Sequence, residues 1–175
     1  MLKKILIALG SVIGMLLIVG LFLPKETNID QEIIINKPKD VVFSHLKSIK
    51  NDDWTVWQKK DPNLVKEYKG NDGEVGFISS WSGNSEVGVG EQEIKKIVEG
   101  ERLEAELRFK KPFEGTSMTS FTIEAVGEGQ TKVKWNFSGP NPFPMNIMCF
   151  IMNMKKQMNQ DMHQGLENLK KKIET

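Results

Sequence analysis

Cysteine, histidine and unbalanced charge are all scarce in this chain, and each scarcity removes a class of function. Cys149 is the single cysteine, so no intrachain disulfide framework can form and no CxxC pair exists for zinc or redox work. Its place in the apolar run 147–151 favours a buried, inert thiol over a nucleophile. His45 and His163 are the two histidines; they fall on different expected helices and share no metal-ligand spacing. Lys+Arg 24 against Asp+Glu 23 leaves a net charge of +1, which gives a nucleic-acid partner no electrostatic footprint. The chain has no GxGxxG after a strand, no GxxxxGKS/T, no HExxH and no GxSxG. No metal and no cofactor are expected.

Charge is also missing from one whole stretch. Ile5 to Leu23 is an unbroken run without a charged residue, long enough to cross a hydrocarbon core as a helix. It is longer than a signal-peptide h-region, and no A-x-A-like cleavage site follows. No cysteine lies near its end, so a lipoprotein signal is excluded. Residues 1–25 are therefore expected to be an uncleaved signal anchor, with a cleaved signal peptide and a buried helix as the alternatives, and residues 26–175 the single domain that the remaining length allows. Lys3 and Lys4 precede the run, which favours a cytoplasmic N-terminus and places the domain outside the cytoplasm. Lys25, Lys37 and Lys39 on the far side weaken that bias.

Beyond a short polar link (26–30), Ile29, Gln31, Ile33 and Ile35 alternate with Asp30, Glu32, Ile34 and Asn36 as in a strand with one buried face. Pro38 can open a helix whose inner side is Val42, Phe43, Leu46 and Ile49. The stretch 51–63 reads as a loop, with Trp54 and Trp57 on one side if a helical turn forms there. They are expected to form either a lid packed on the domain or the entrance to a pocket. From Leu64 the period is two, and strands are expected at 64–68, 75–81, 86–98, 102–109, 115–126 and 131–138. Gly-rich turns separate most of them, and Gly88 and Gly90 mark a bulge or bend.

The last stretch, 142–173, reads as one long helix capped by Asn141 with Pro142 or Pro144 in its first turn. Ile151, Met154, Met158, Met162, Leu166, Leu169 and Ile173 make an apolar stripe at steps of three or four. Gly165 implies a kink or a close backbone approach. Six of the nine methionines fall between 145 and 162 of this stretch. Met adapts to neighbours of irregular shape, so this helix reads either as the closure of a core or as a flexible wall over an apolar cavity. Strand, helix, antiparallel strands and long helix together give an α+β domain with helices gathered on one face of the sheet.

The ordered set Ile33-Ile34-Ile35-Asn36-Lys37-Pro38, Trp54…Trp57, Asp61-Pro62, Trp81-Ser82-Gly83, Val87-Gly88-Val89-Gly90, Phe113-Glu114-Gly115, Thr131–Trp135 and Gly165–Leu169 resembles the SRPBCC superfamily (START-like), in its polyketide cyclase/dehydrase-like branch. The resemblance covers about residues 28–173. It implies a helix-grip fold, a curved antiparallel β-sheet around a long C-terminal helix, with an apolar cavity between them. Expected cavity residues are Trp54, Trp57, Trp81, Gln92, Phe121, Trp135, Met154, Met158 and Met162.

A cyclase or hydratase on such a scaffold needs an acid or base aimed into the cavity. Asp53, Glu67, Tyr68, Glu91, Gln92 and Arg108 are candidates by position, but strand alternation alone does not say which face inward, and no catalytic pair emerges. The expected function is a membrane-anchored module that binds a hydrophobic or amphiphilic small molecule, a lipid included. The alternatives are a cyclase- or dehydratase-like enzyme and an interaction or envelope-stress domain with a filled core.

Overall fold

A computed structural model describes residues 1–175. Helix α1 (Leu2–Phe22) carries the charge-free run, and nearly all of its apolar surface is exposed. Only Leu23, Pro24 and Lys25 separate it from β1 (Glu26–Ile35), so the expected polar link is itself part of a strand. Ile29 and Ile35 are buried and Gln31 and Ile33 half-buried, as the alternation requires.

Pro38 precedes α2 (Lys39–Lys47), which buries Val42, Phe43 and Leu46. A 3-10 turn (Ile49–Trp54) and the one-turn α3 (Trp57–Lys60) follow. Then come β2 (Val65–Lys69), β3 (Ile78–Ser82), β4 (Val89–Val98), β5 (Arg102–Lys111), β6 (Gly115–Gly127) and β7 (Gln130–Pro140). All neighbours pair antiparallel in one seven-stranded sheet of order β1-β7-β6-β5-β4-β3-β2. The six strands expected beyond Leu64 are all present, with ends moved by a few residues.

The C-terminal helix is not continuous. α4 (Met145–Ile151) and α5 (Met154–Glu174) are separate, and Asn153 between them has φ 53. Asparagine is among the few side chains that tolerate this left-handed backbone, and a helix cannot pass through it. The expected cap at Asn141 is also displaced: Pro144 occupies that place, and the Asn141 N–H donates to the Lys25 carbonyl at 2.7 Å. Only the second half of the apolar stripe faces the sheet. Met162, Leu166, Leu169 and Ile173 are buried and Met158 is half-buried, whereas Ile151 and Met154 are exposed.

Gly165 does not kink α5. A Cβ there would lie 3.2 Å from Trp135 Cζ3 and 3.5 Å from Trp54 Cζ3, so the glycine lets the helix settle onto two indoles. Gln31 Nε2 donates to Asn159 Oδ1 at 2.8 Å and Asn168 Nδ2 to the Trp54 carbonyl at 3.0 Å, which fixes α5 over β1 and the 3-10 turn.

Candidate functional site

Register partners on adjacent strands point to the same face of a sheet, so the pairings assign the concave face row by row. Under the second half of α5 the rows hold large side chains: Leu103, Phe121, Trp135, Ile123 and Val133, all buried. Trp54 stands edge-on to Trp135 and Phe121 with ring centroids 5.4 and 6.1 Å away, and Phe121 and Trp135 lie 5.1 Å apart. Trp135 Nε1 donates to Thr119 Oγ1 at 2.8 Å, which satisfies the one polar atom the indole buries. This half of the interior is a packed aromatic core.

The rows nearer β2 differ. Ser79, Gln92, Leu107 and Ser117 form one row and Lys66, Trp81, Gly90 and Phe109 the next. Trp81, Gln92, Leu107 and Phe109 are only half-buried although they lie on the concave face. Gly90 is required there, because a Cβ would sit 2.5 Å from Trp81 Cζ2 and 2.7 Å from the Arg108 carbonyl. Its absence lets the indole lie across the strand and meet Phe109 edge-on at 6.0 Å. β4 shifts register beside this glycine, and Gly88 has φ 73, so the expected bulge is present.

The stretch 51–63 caps this region. Both tryptophans reach Trp135, Trp54 as above and Trp57 at 5.9 Å, so the expected common side is correct. Trp54 is core, while Trp57 is half-exposed at the margin. Lys60 binds Asp161 of α5 at 2.7 Å, and the buried Asp61 accepts from the N–H groups of Asn63 and Asn84 at 2.9 and 2.6 Å. The capping segment is therefore tied to both the helix and the sheet.

The expected cavity residues fall into three groups. Trp54, Phe121, Trp135 and Met162 belong to the packed core; Trp57, Trp81, Gln92 and Met158 are half-buried; Met154 is exposed at the start of α5, beside the helix break. Among the acid–base candidates only Gln92 and Tyr68 share the concave face. Tyr68 stacks on Phe77 at the sheet's β2 edge. Arg108 binds Glu91 and Glu93 at 2.7 Å on the convex side, where Lys110 and Arg108 hold the Glu91 carboxyl below its usual range. Asp53 is exposed and pairs with Lys172.

Asp52 and Lys66 were not singled out by sequence. They form a half-buried ion pair between the 3-10 turn and β2, beside Trp81. Burial pushes the Asp52 carboxyl above its ordinary value, and the Lys66 ammonium only partly offsets that. The pair sets a charged, hydrogen-bonding group at the rim of an apolar surface. No group of three or more His, Cys, Asp or Glu side chains is placed to hold a metal.

Two surface depressions lie away from the concave face. One of about 480 Å³ is lined by Asp40, Lys47, Asp72 and Glu99 among others and has a single hydrophobic wall residue, Phe43. The other, of about 450 Å³, lies at the α4–α5 break around Cys149, Phe150 and Asn153.

The family model for polyketide cyclase/dehydrase and lipid transport matches residues 26–174. No curated protein matches the chain. Among solved structures, protein CV1439 from Chromobacterium violaceum aligns at 15% identity over 85% of this chain and 98% of its own, with a TM-score of 0.61. The Aha1 dimer from Colwellia psychrerythraea aligns at 19% identity over 84% and 96%, with a TM-score of 0.59. TTHA0849 from Thermus thermophilus aligns at 14% identity over 83% and 96%, with a TM-score of 0.57. These likenesses show a shared helix-grip fold.

Proposed function

The chain belongs to the polyketide cyclase/dehydrase and lipid transport family, and from that premise we propose that it is a membrane-anchored binding module for a hydrophobic or amphiphilic small molecule. One observation carries this reading: Trp81, Leu107 and Phe109 point into the concave face yet are only half-buried, with Trp57 and Met158 at the margin. A folded chain gains by covering such surface, roughly 2.5 kcal/mol for each 100 Å² removed from water. An apolar ligand is a natural cover. Gln92 in the same rows supplies an amide for a polar end, and Lys66, which holds Asp52, lies in the row of Trp81. The adaptable Met158 suits a ligand of variable shape.

α1 is long and apolar enough to cross a membrane, and we assign it as the anchor of a two-part chain, residues 1–25 and 26–175. The packed aromatic core under α5 favours a second reading, an interaction domain that holds no ligand.

Native mass spectrometry of the full chain released from its membrane separates the two. The binding module retains a non-covalent mass increment in the parent and loses it in Leu107→Glu, while thermal melts of the two proteins stay alike. A parent chain with no increment overturns the binding reading in favour of the interaction domain.

A further inference from the structure

The apolar side chains that the stretch 142–173 leaves outside the core are not scattered. Phe143, Phe150, Ile151, Met152 and Met154 are all exposed, Phe150 at 66% and Ile151 at 63%. They fall on and beside α4, a segment without a charged residue from Met145 to Met154. Large exposed apolar clusters of this kind mark a surface that something covers.

The structure also shows where α4 is held. A Cβ at Gly20 would lie 2.5 Å from Ile147 Cδ1 and 3.3 Å from Phe143 Cδ2, so α4 packs against the last turn of α1 at its buried glycine. Asn146 is 1% exposed and its Nδ2 donates to the Gly20 carbonyl at 2.7 Å, with the Leu23 carbonyl at 3.5 Å. The last carbonyls of a helix have no partner within it. In hydrocarbon such groups must be satisfied by protein, and the Asn146 amide does this for α1.

We propose that α4 lies in the acyl-chain/headgroup boundary of the bilayer that α1 crosses, as a second membrane contact of the domain. This rests on the reading of α1 as the anchor. Gly20 is three residues short of the end of the charge-free run at Leu23. At about 1.5 Å per residue the α1–α4 contact sits roughly 5 Å inside that end, within the depth of an interfacial helix. The exposed side chains of α4 continue the apolar surface of α1. Lys25 just after α1, and the exposed Lys155 and Lys156 just after the helix break, stand where phosphate headgroups begin. The break at Asn153 turns the chain from the membrane surface into α5, which runs along the domain.

The test places one fluorophore at a time on the full chain in a Cys149→Ala background, reconstituted in phosphatidylethanolamine/phosphatidylglycerol vesicles. Labels go on Phe150→Cys and Ile151→Cys in α4, on Val12→Cys within α1 and on Ser85→Cys in the exposed β3–β4 loop. The expected result is that acyl-chain nitroxide lipids remove most of the emission of the α4 and α1 labels, while iodide quenches only the Ser85 label. α4 labels open to iodide and untouched by nitroxide, with the Val12 label quenched by nitroxide, overturn the proposal and leave the anchor standing. α4 labels shielded from both quenchers also overturn it, because protein (a second copy or a partner) then covers the helix. A Val12 label that escapes the nitroxide refutes the anchor, and this proposal with it.

Discussion

At the residue scale, two sets of carboxylates respond to acid in opposite directions. Burial holds Asp52 above its ordinary 3.8, so the folded chain binds that proton more tightly than the unfolded chain. Its contribution to stability is complete below 3.8 and is lost as pH rises through the folded value. Glu91, held low by Lys110 and Arg108, and Glu93, held low by Arg108 and Lys95, behave conversely. Their contribution is present above 4.5 and is lost as pH falls through the lowered values. Acidification therefore meets a gain at Asp52 and a loss at the glutamates. Asp52→Asn should make the fall in Tm on acidification steeper, and Arg108→Met should make it shallower below the ordinary carboxylate range. Thermal melts of the full chain across the acid range check both. An Asp52→Asn profile that matches the parent's would remove the case for a raised carboxyl.

At the element scale, the helix break is the feature with most consequence. Asn153→Gly should be tolerated, because glycine enters the left-handed region freely. Asn153→Ile should cost about 1–2 kcal/mol, or fuse α4 and α5 and draw α4 off α1. Denaturant melts give the cost, and a disulfide engineered through Gly20→Cys and Ile147→Cys reports the contact. An Asn153→Ile chain as stable as the parent, with the disulfide still forming, would mean the left-handed residue is not what separates the helices.

This break was not legible in the sequence. The apolar steps run on from Ile151 to Met154 and Met158 without a lapse, and periodicity carries no sign of one residue's backbone dihedral. The strands were legible because alternation and turn glycines report the same thing twice, as at β6 and β7. The close approach at Gly165 was one of two readings of a mid-helix glycine, and the two indoles beneath it decide between them. The Asp52–Lys66 pair is not legible in the sequence for another reason. Beside Asp53, Asp52 reads as surface, and only the seating of the 3-10 turn against the β2 edge buries it.

At the scale of the whole molecule, the side of the membrane is set by few charges. Lys3 and Lys4 before α1 favour a cytoplasmic N-terminus, so the domain should lie on the opposite side. In the Cys149→Ala background, Ser85→Cys should react with a membrane-impermeant maleimide added to intact cells. Reaction only after the cells are broken would reverse the orientation.

The passage from α1 into β1 has its own consequence. Leu23 to Lys25 is three residues, a leash of roughly 10 Å even when fully extended. With α1 fixed in a bilayer, the domain cannot swing far from the lipid, and its concave face sweeps only a thin layer above one leaflet. For the binding module proposed above, the search for a ligand would then be two-dimensional. A molecule already dissolved in that leaflet, or carried by another tethered protein, meets it at the high local concentration of a surface, whereas a cargo held by a partner beyond that layer must be brought in.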